Sequence, residues 1–310
     1  STSPSLSDLR VPAAVGAFVQ ANAASLWPYK LVCWTLENLL ITKENFNLQT
    51  NTPVTSLQKV EADDSWILHT SRGMVAAKKV ILTTNAYTSH LLPKMKDLIV
   101  PVQGEMSSLL PPKCVRHSTS GKPLAMSYVF AGHDKEKDIY QDDYLIQRPF
   151  SPSGEGGELM FGGGRQYASK GGVGISDDSY TSKSAAAYLR NELNHALDIS
   201  SSLSTSSKEI KASYEWTGIM GFSRDGRPWV GEVSEDLGLG GGKGLWICAG
   251  FTGHGMPNAT GSARAVVELM SGNGEGEVDL PGVHRISRER IERARVGDEV
   301  AVADGKGFFI

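Results

Sequence analysis

Apolar positions along this chain follow first a helical and then a strand-like period. From Val11 to Ser25, small apolar residues predict a short helix. After Pro28 a second helix is expected over Tyr29–Leu40, where Leu31, Thr35, Leu36, Leu39 and Leu40 recur at three- and four-residue spacing and mark one buried face. The period then drops to two. NFNLQTN, VTSLQKV, SWILHTS, GMVAA and KVILTTN read as successive strands, punctuated by Pro53, Asp63-Asp64 and Arg72-Gly73. Residues 100–218 hold short strands (LAMSYVF, YLIQ, ELMFGG) between Pro- and Ser-rich turns, including a serine-rich run at 200–207. One clear helix interrupts them, Ser182–Leu197, with Ala186, Leu189, Leu193 and Leu197 on one face and Thr181 or Ser182 as its cap. Strand-turn-strand returns at Arg227–Gly231 and Gly244–Ala249, and a helix follows Gly255. Near the end, Arg285/Glu289, Arg288/Glu292 and Glu289/Arg293 are four residues apart, which favours a solvated surface helix over a binding arm.

The expected organisation is therefore α/β plus α+β. Residues 1–99 form a first unit, 100–218 an antiparallel region suited to covering a pocket, 219–276 a return to the first unit, and 277–310 a tail. Composition narrows the chemistry. A net charge of −3 over 310 residues gives no electrostatic case for nucleic acid. Cysteines at 33, 114 and 248 match neither a disulfide framework nor a zinc site, and the di-acid Asp142-Asp143 has no histidine at ligand spacing, so no metal is expected. No apolar run nears the ~20 residues of a membrane span, and no signal sequence follows Ser1; the expectation is a soluble, cytoplasmic protein. The 34 glycines exceed the usual share of about 7%.

The most informative stretch is Gly244–Gly272. A buried strand, LWICA, runs into Gly250-Phe251-Thr252-Gly253-His254-Gly255 and then a helix with Pro257 near its start. Ala259, Ala263, Val266, Val267 and Met270 form the expected apolar face, and Gly272 ends it. Such a turn exposes backbone N–H groups at the positive end of a helix, a receptor for an anion or a polarised carbonyl. The plainer alternative is an ordinary strand-to-helix turn.

AGFTGHGMPNATGSA resembles the C-terminal flavin-binding signature of the FAD-dependent D-amino-acid oxidase-like superfamily, the branch with sarcosine, glycine and γ-glutamylputrescine oxidases. Similar stretches run in family order from about Leu26 to Met270, through LWPYKLVCWTLENLL, NLQTNTPVTSLQ, VILTTNAYTSHL, YLIQRP, ELMFGGGR and YEWTGIMGFSRDGRPWVGE. The resemblance implies a partial Rossmann-like FAD-binding domain with an inserted antiparallel-sheet substrate domain. It places Gly253, His254, Gly255, Met256, Pro257 and Asn258 beside the flavin ring, with His254 chiefly a positioning residue. Pro53 and Val54 would lie on the adenine side, and Thr83, Thr84 and Asn85 beside the nucleotide-binding turn. Tyr144 and Trp216 would wall the substrate pocket. Arg148 would reach a substrate anion or pair with an acid such as Asp142 or Asp143, and Arg165 would be an anion contact or a solvated strand end. Met220 stands where glycine- and D-amino-acid-oxidase-like members carry a carboxylate-binding arginine. Pro257 stands where sarcosine-oxidase-like members carry a lysine for oxygen activation.

No cysteine lies between 115 and 247 to tether flavin, so FAD would be held noncovalently. The implied activity is oxidation of a C–N bond of an amine or amino-acid-like substrate, with hydride passing to flavin, oxygen as acceptor and no obligatory side-chain base. The family's Gly-x-Gly-x-x-Gly fingerprint, which cradles the FAD pyrophosphate, occurs nowhere in the sequence. The alternative is therefore a truncated or non-redox descendant acting as a binding or scaffold protein without FAD. A partner chain would then cover apolar surface left exposed on the FAD-binding domain.

Overall fold

The computed structural model describes residues 4–116, 121–134, 139–199, 209–272, 274 and 276–296; the serine-rich run at 200–207 and the tail beyond 296 lie outside the described residues. In chain order the elements are α1 (Pro28–Thr42), β1 (Val54–Val60), β2 (Ser65–Thr70), β3 (Gly73–Ala77), β4 (Val80–Leu82), the single-turn α2 (Thr88–Leu91), β5 (Ile99–Leu109), β6 (Tyr128–Asp134), β7 (Ile139–Gln147), β8 (Leu159–Gly163), α3 (Lys183–Ala196), β9 (Ala212–Ser223), β10 (Trp229–Glu232), β11 (Leu245–Ala249), α4 (Gly255–Met270) and α5 (Arg288–Val296). They make three sheets. The first is the antiparallel meander β1-β2-β3; the second runs β10-β11-β4, with β11 parallel to β4 although far from it in sequence. The third is a five-stranded antiparallel sheet in the order β6-β7-β8-β5-β9.

Strand alternation gives this large sheet two unlike faces. On one, Leu145, Leu159 and Phe161 meet Leu189 and Leu193 of α3, all fully buried, and Ser182 caps that helix by accepting from the Ala185 amide. The other face carries Met106, Tyr144 and Trp216 at paired positions across β5, β7, β8 and β9. A second core gathers Trp66, Leu82, Leu98, Ile99, Trp229, Leu245 and Ile247 between the two smaller sheets and the start of β5.

Several expectations change. Residues 11–25 form no helix; Val15 and Phe18 lie fully exposed, and a short segment without a packing partner does not hold a helix in water. NFNLQTN does not form a strand, because no described strand pairs with it. α1 does form, with Pro28 in its first turn, but none of its residues is buried: Leu36 and Leu39 are half-covered, while Leu31, Val32, Trp34, Leu40 and Ile41 stay exposed. The buried face of α4 is rotated to Ser262, Ala265 and Val266, which meet Val230 and Cys248, so Ala259, Ala263 and Val267 point outward. α5 is not simply solvated. Arg290, Ile291 and Ala294 are buried against the second sheet.

Candidate active site

β4 and β11 run parallel and side by side, so their carboxyl ends open the kind of crevice in which α/β sheets place ligands. After β11 the chain turns through left-handed backbone at Gly250 (φ 78°), Thr252 (φ 54°) and Gly253 (φ 73°). For a β-branched threonine this conformation is strained, and the surroundings hold it. The Thr252 amide donates to Gly221 O (2.8 Å), and its hydroxyl donates to Gly250 O (3.2 Å) while accepting from the Ser223 amide (2.9 Å). From β4's side, Asn85 Oδ1 accepts from the amides of Gly250 (2.9 Å) and Phe251 (3.2 Å), clipping the two strand ends together. α4 then begins at Gly255 with His254 as its N-cap residue and no side-chain cap, so no cap side chain takes up its first amides. His254 Nδ1 lies 2.7 Å from Thr252 O. A carbonyl only accepts, so Nδ1 carries the proton and, in the neutral ring, Nε2 carries the lone pair.

Between this turn and the open face of the five-stranded sheet lies a cavity of about 480 Å³. Its apolar walls include Met106, Val129, Tyr144, Trp216, Met220 and Phe222; Gly253 and His254 line one end, and Glu105, Asp142 and Arg165 are the charged residues of the lining. The floor depends on Gly162, where a Cβ would collide with Met106 Sδ and the Tyr144 ring. Tyr144 donates its hydroxyl hydrogen to Met106 Sδ at 2.8 Å, fixing both side chains. Glu105, on the same strand, also belongs to the lining; its Oε1 accepts from the Ser182 amide at the start of α3, and burial raises its carboxyl above the usual range.

The sequence profile of the FAD-dependent oxidoreductase family (DAO) matches residues 3–269. The chain belongs to this family. Among solved structures it is similar to glycine oxidase from Geobacillus kaustophilus, with 21% identity and a TM-score of 0.55 over 78% of this chain and 53% of that one. It is also similar to fructosyl amine:oxygen oxidoreductase (amadoriase I) from Aspergillus fumigatus, with 16% identity and a TM-score of 0.51 over 82% of this chain and 52% of that one. The chain thus spans about half the length of these solved relatives. No curated protein matches it by sequence. The fold is the mixed α/β plus antiparallel architecture of DAO-family enzymes, whose cofactor is FAD.

For this DAO-family chain, the flavin-ring end of the cofactor can be tested against the residues present, and they fit. The Gly253–Gly255 backbone approaches the cavity without side chains: a Cβ on Gly253 would meet only Phe222 Cζ, at 3.9 Å, and the uncapped start of α4 offers amide donors. The sequence-derived site residues separate into groups. Gly253, His254, Tyr144, Trp216 and Met220 line one cavity, and Gly255, Met256, Pro257 and Asn258 form the first turn of α4 beside it. Asn258 Nδ2 donates to His254 O, tightening that turn. Asn85 is committed to the backbone of the same turn, while Thr84 pairs with Thr88 through their hydroxyls (2.9 Å) and Thr83 is exposed at the end of β4. Pro53 and Val54 sit at the start of β1, apart from the cavity lining.

Arg148 also stands outside that lining. It pairs with Glu158 (3.3 Å) and stacks 4.0 Å over the Trp27 ring. Sequence reasoning did not single out Thr252 or Asp142 as cavity residues. A β-branched residue inside a glycine-flanked turn was the available signal for the first; strand alternation with Tyr144 was the signal for the second.

Proposed function

We propose that this chain is the substrate-domain and flavin-ring half of an FAD-dependent amine oxidoreductase that oxidises a C–N bond of an amine or amino-acid-like substrate, with oxygen as acceptor. The observation that carries the reading is the uncapped start of α4, with Gly253 and His254 opening into an apolar cavity of amine-substrate size. FAD, when bound, supplies the two-electron acceptor for the hydride leaving the carbon next to nitrogen. The residues of this chain orient and shield. Tyr144, Met106 and Trp216 would hold the substrate's apolar part against the sheet, and the positive end of α4 would stabilise negative charge gathered on the cofactor. His254 is held through Nδ1, which donates to Thr252 O.

The exposed apolar residues of α1 (Leu31, Val32, Trp34, Leu40 and Ile41) and the outer edge of β4, where Ile81 is exposed, are in this reading covered by further polypeptide. That polypeptide carries the Gly-x-Gly-x-x-Gly unit for the pyrophosphate. The test titrates FAD into this chain alone and into the chain joined to a nucleotide-binding βαβ unit, following flavin absorbance and fluorescence, and then measures peroxide with a panel of amines. Saturable uptake by the joined protein with amine-dependent peroxide is expected. Failure of both forms to take up FAD would refute the proposal and favour a non-redox descendant.

A further inference from the structure

We propose that Asp142 sets the charge selectivity of this cavity, and that the amine admitted there has an apolar body and bears no carboxylate; the proposal deepens the amine-oxidoreductase reading and rests on it. Among the described residues, Arg165 is the one lysine or arginine of the lining, and its nitrogens are committed or shut away. Nη1 faces Asp142 Oδ2 at 3.5 Å, with 11% and 21% of the two side chains exposed. Nε donates to Gly171 O at 3.3 Å, and Nη2 is closed off from solvent, out of reach of an incoming anion. The guanidinium carbon lies over the Phe222 ring, 5.4 Å from its centre. A carboxylate entering the cavity loses its water and meets two carboxyls, Asp142 and Glu105, against one guanidinium that is already paired. An amine without a carboxylate escapes that penalty. Its apolar body lies on Met106, Tyr144 and Trp216, and aromatic walls tolerate its positive charge.

The same contacts account for two aspartates standing side by side on β7. Successive residues of a strand point to opposite faces. Asp142 shares a face with Tyr144, whose hydroxyl donates to Met106 Sδ in the cavity floor. Asp143 points the other way; it is fully buried and accepts from the Gly164 amide (2.7 Å), Tyr188 Oη (2.6 Å) and Gln141 Nε2 (2.8 Å). One acid therefore fixes the backbone that leads into Arg165, and its neighbour takes up the guanidinium. Two other groups of the cavity attract anions. His254 gives Nδ1 to Thr252 O, and the first amides of α4 serve the cofactor in the amine-oxidoreductase reading. A carboxylate caught by either would make an acid the tighter ligand, the opposite of the selectivity expected from Asp142.

The test titrates the purified full chain with N-benzylglycine and its primary amide, followed by ligand-observed NMR or calorimetry. The two probes have like shape, so the ratio of their affinities reads the carboxylate charge. Wild type is expected to bind the amide about tenfold or more tighter than the acid. Asp142→Asn keeps the shape and releases Arg165, and should raise the affinity for the acid until the gap closes or reverses, with little change for the amide. Arg148→Met, outside the lining, should leave the gap as it is. Equal or tighter binding of the acid by wild type overturns the proposal, and so does a gap that Asp142→Asn leaves intact. Melting curves report whether each variant is folded; where Asp142→Asn is not, Asp142→Ser takes its place under the same criterion. FAD uptake with amine-dependent peroxide but no preference for the amide overturns this proposal alone. An amide preference that depends on Asp142, in a protein that takes up no FAD, overturns the redox reading alone.

Discussion

The firmest structural claim to test concerns Arg290. Its guanidinium donates to both oxygens of Asp225 (Nε 2.7 Å, Nη2 3.0 Å) and to the carbonyls of Pro228 (3.0 Å), Arg227 (2.8 Å) and Arg285 (3.3 Å), and lies 3.7 Å over the Trp229 ring. Only 3% of the Arg290 side chain and 20% of the Asp225 side chain are exposed. Arg290→Met keeps the stem against Trp229 but leaves a mostly buried carboxylate unpaired and three carbonyls without their donor. Losing one partner of a buried pair costs about 3–5 kcal/mol, and the partial exposure of Asp225 favours the lower end, about 3 kcal/mol. With a urea slope of about 2–3 kcal/mol/M, the unfolding midpoint should fall by roughly 1 M. Asp225→Asn, which keeps hydrogen bonding and removes the charge, should cost about half as much.

The pH dependence is fixed by the same contacts. Burial alone would raise the Asp225 carboxyl, but Arg290, helped by hydrogen bonds from the Ser223 hydroxyl and the Arg227 amide, outweighs it and holds the group below its ordinary value of 3.8. A depressed carboxylate stabilises the fold fully above its unfolded pKa, and the contribution is lost as pH falls through the folded one. The gap between wild type and Arg290→Met should therefore be widest near neutrality and close as pH falls toward about 3, because protonation relieves the unpaired carboxylate of the variant and then removes the ion pair of the wild type. A midpoint shift worth less than about 1 kcal/mol, or a gap unchanged down to pH 3, would refute the claim that this pair clasps α5 to the sheet.

Two further outcomes follow from the turns around the cavity. Asn85→Ala removes the acceptor shared by the Gly250 and Phe251 amides and should cost about 1–3 kcal/mol, read by denaturation, with faster hydrogen exchange at those two amides. Burial raises the Asp143 carboxyl despite its three donors. A raised carboxyl stabilises fully below its unfolded value, and that contribution is lost as pH climbs through the folded one. Asp143→Asn should therefore flatten the fall in melting temperature on raising pH from about 4 toward 7, measured by a series of thermal scans.

How much the sequence reveals depends on whether a residue's partner is near in the chain. The Ser182 cap, the meander over residues 54–77 and the strand into Gly250–Gly255 are local patterns, and each is legible. The helical period of α1 is legible too, but its burial is not, because burial requires a second surface that period alone does not supply. The arginine-glutamate spacing in the tail gives a helix and hides its function: Arg290 is bound by an aspartate 65 residues away. Arg165 is ambiguous for the same reason. Three glycines before an arginine read equally as a solvated strand end, and only the approach of Asp143 from β7 and Phe222 from β9 turns it inward. The β4–β11 pairing joins strands more than 160 residues apart, so the site's two halves meet only in the folded chain.

These long-range contacts share a physical logic. Where a strand ends beside the cavity, the chain turns through left-handed backbone and leaves amides that no neighbouring strand can bond. In each case a side-chain oxygen from a distant element accepts them: Asn85 for Gly250 and Phe251, Asp143 for Gly164, and Thr252 for Ser223. Ser223 closes a chain of such bonds, since its hydroxyl donates to Asp225 and accepts from the Trp229 indole, and Asp225 is what Arg290 holds. The turn facing the cavity is thereby tied through Thr252, Ser223 and Asp225 to a helix on the far side of the second sheet. Two acids beside these turns are tuned in opposite directions, Asp225 lowered by a cation and Asp143 raised by burial. Mild acid should accordingly protonate Asp143 before Asp225 and leave the Arg290 clasp intact, and Glu105, raised by burial in the cavity lining, responds in the same direction as Asp143.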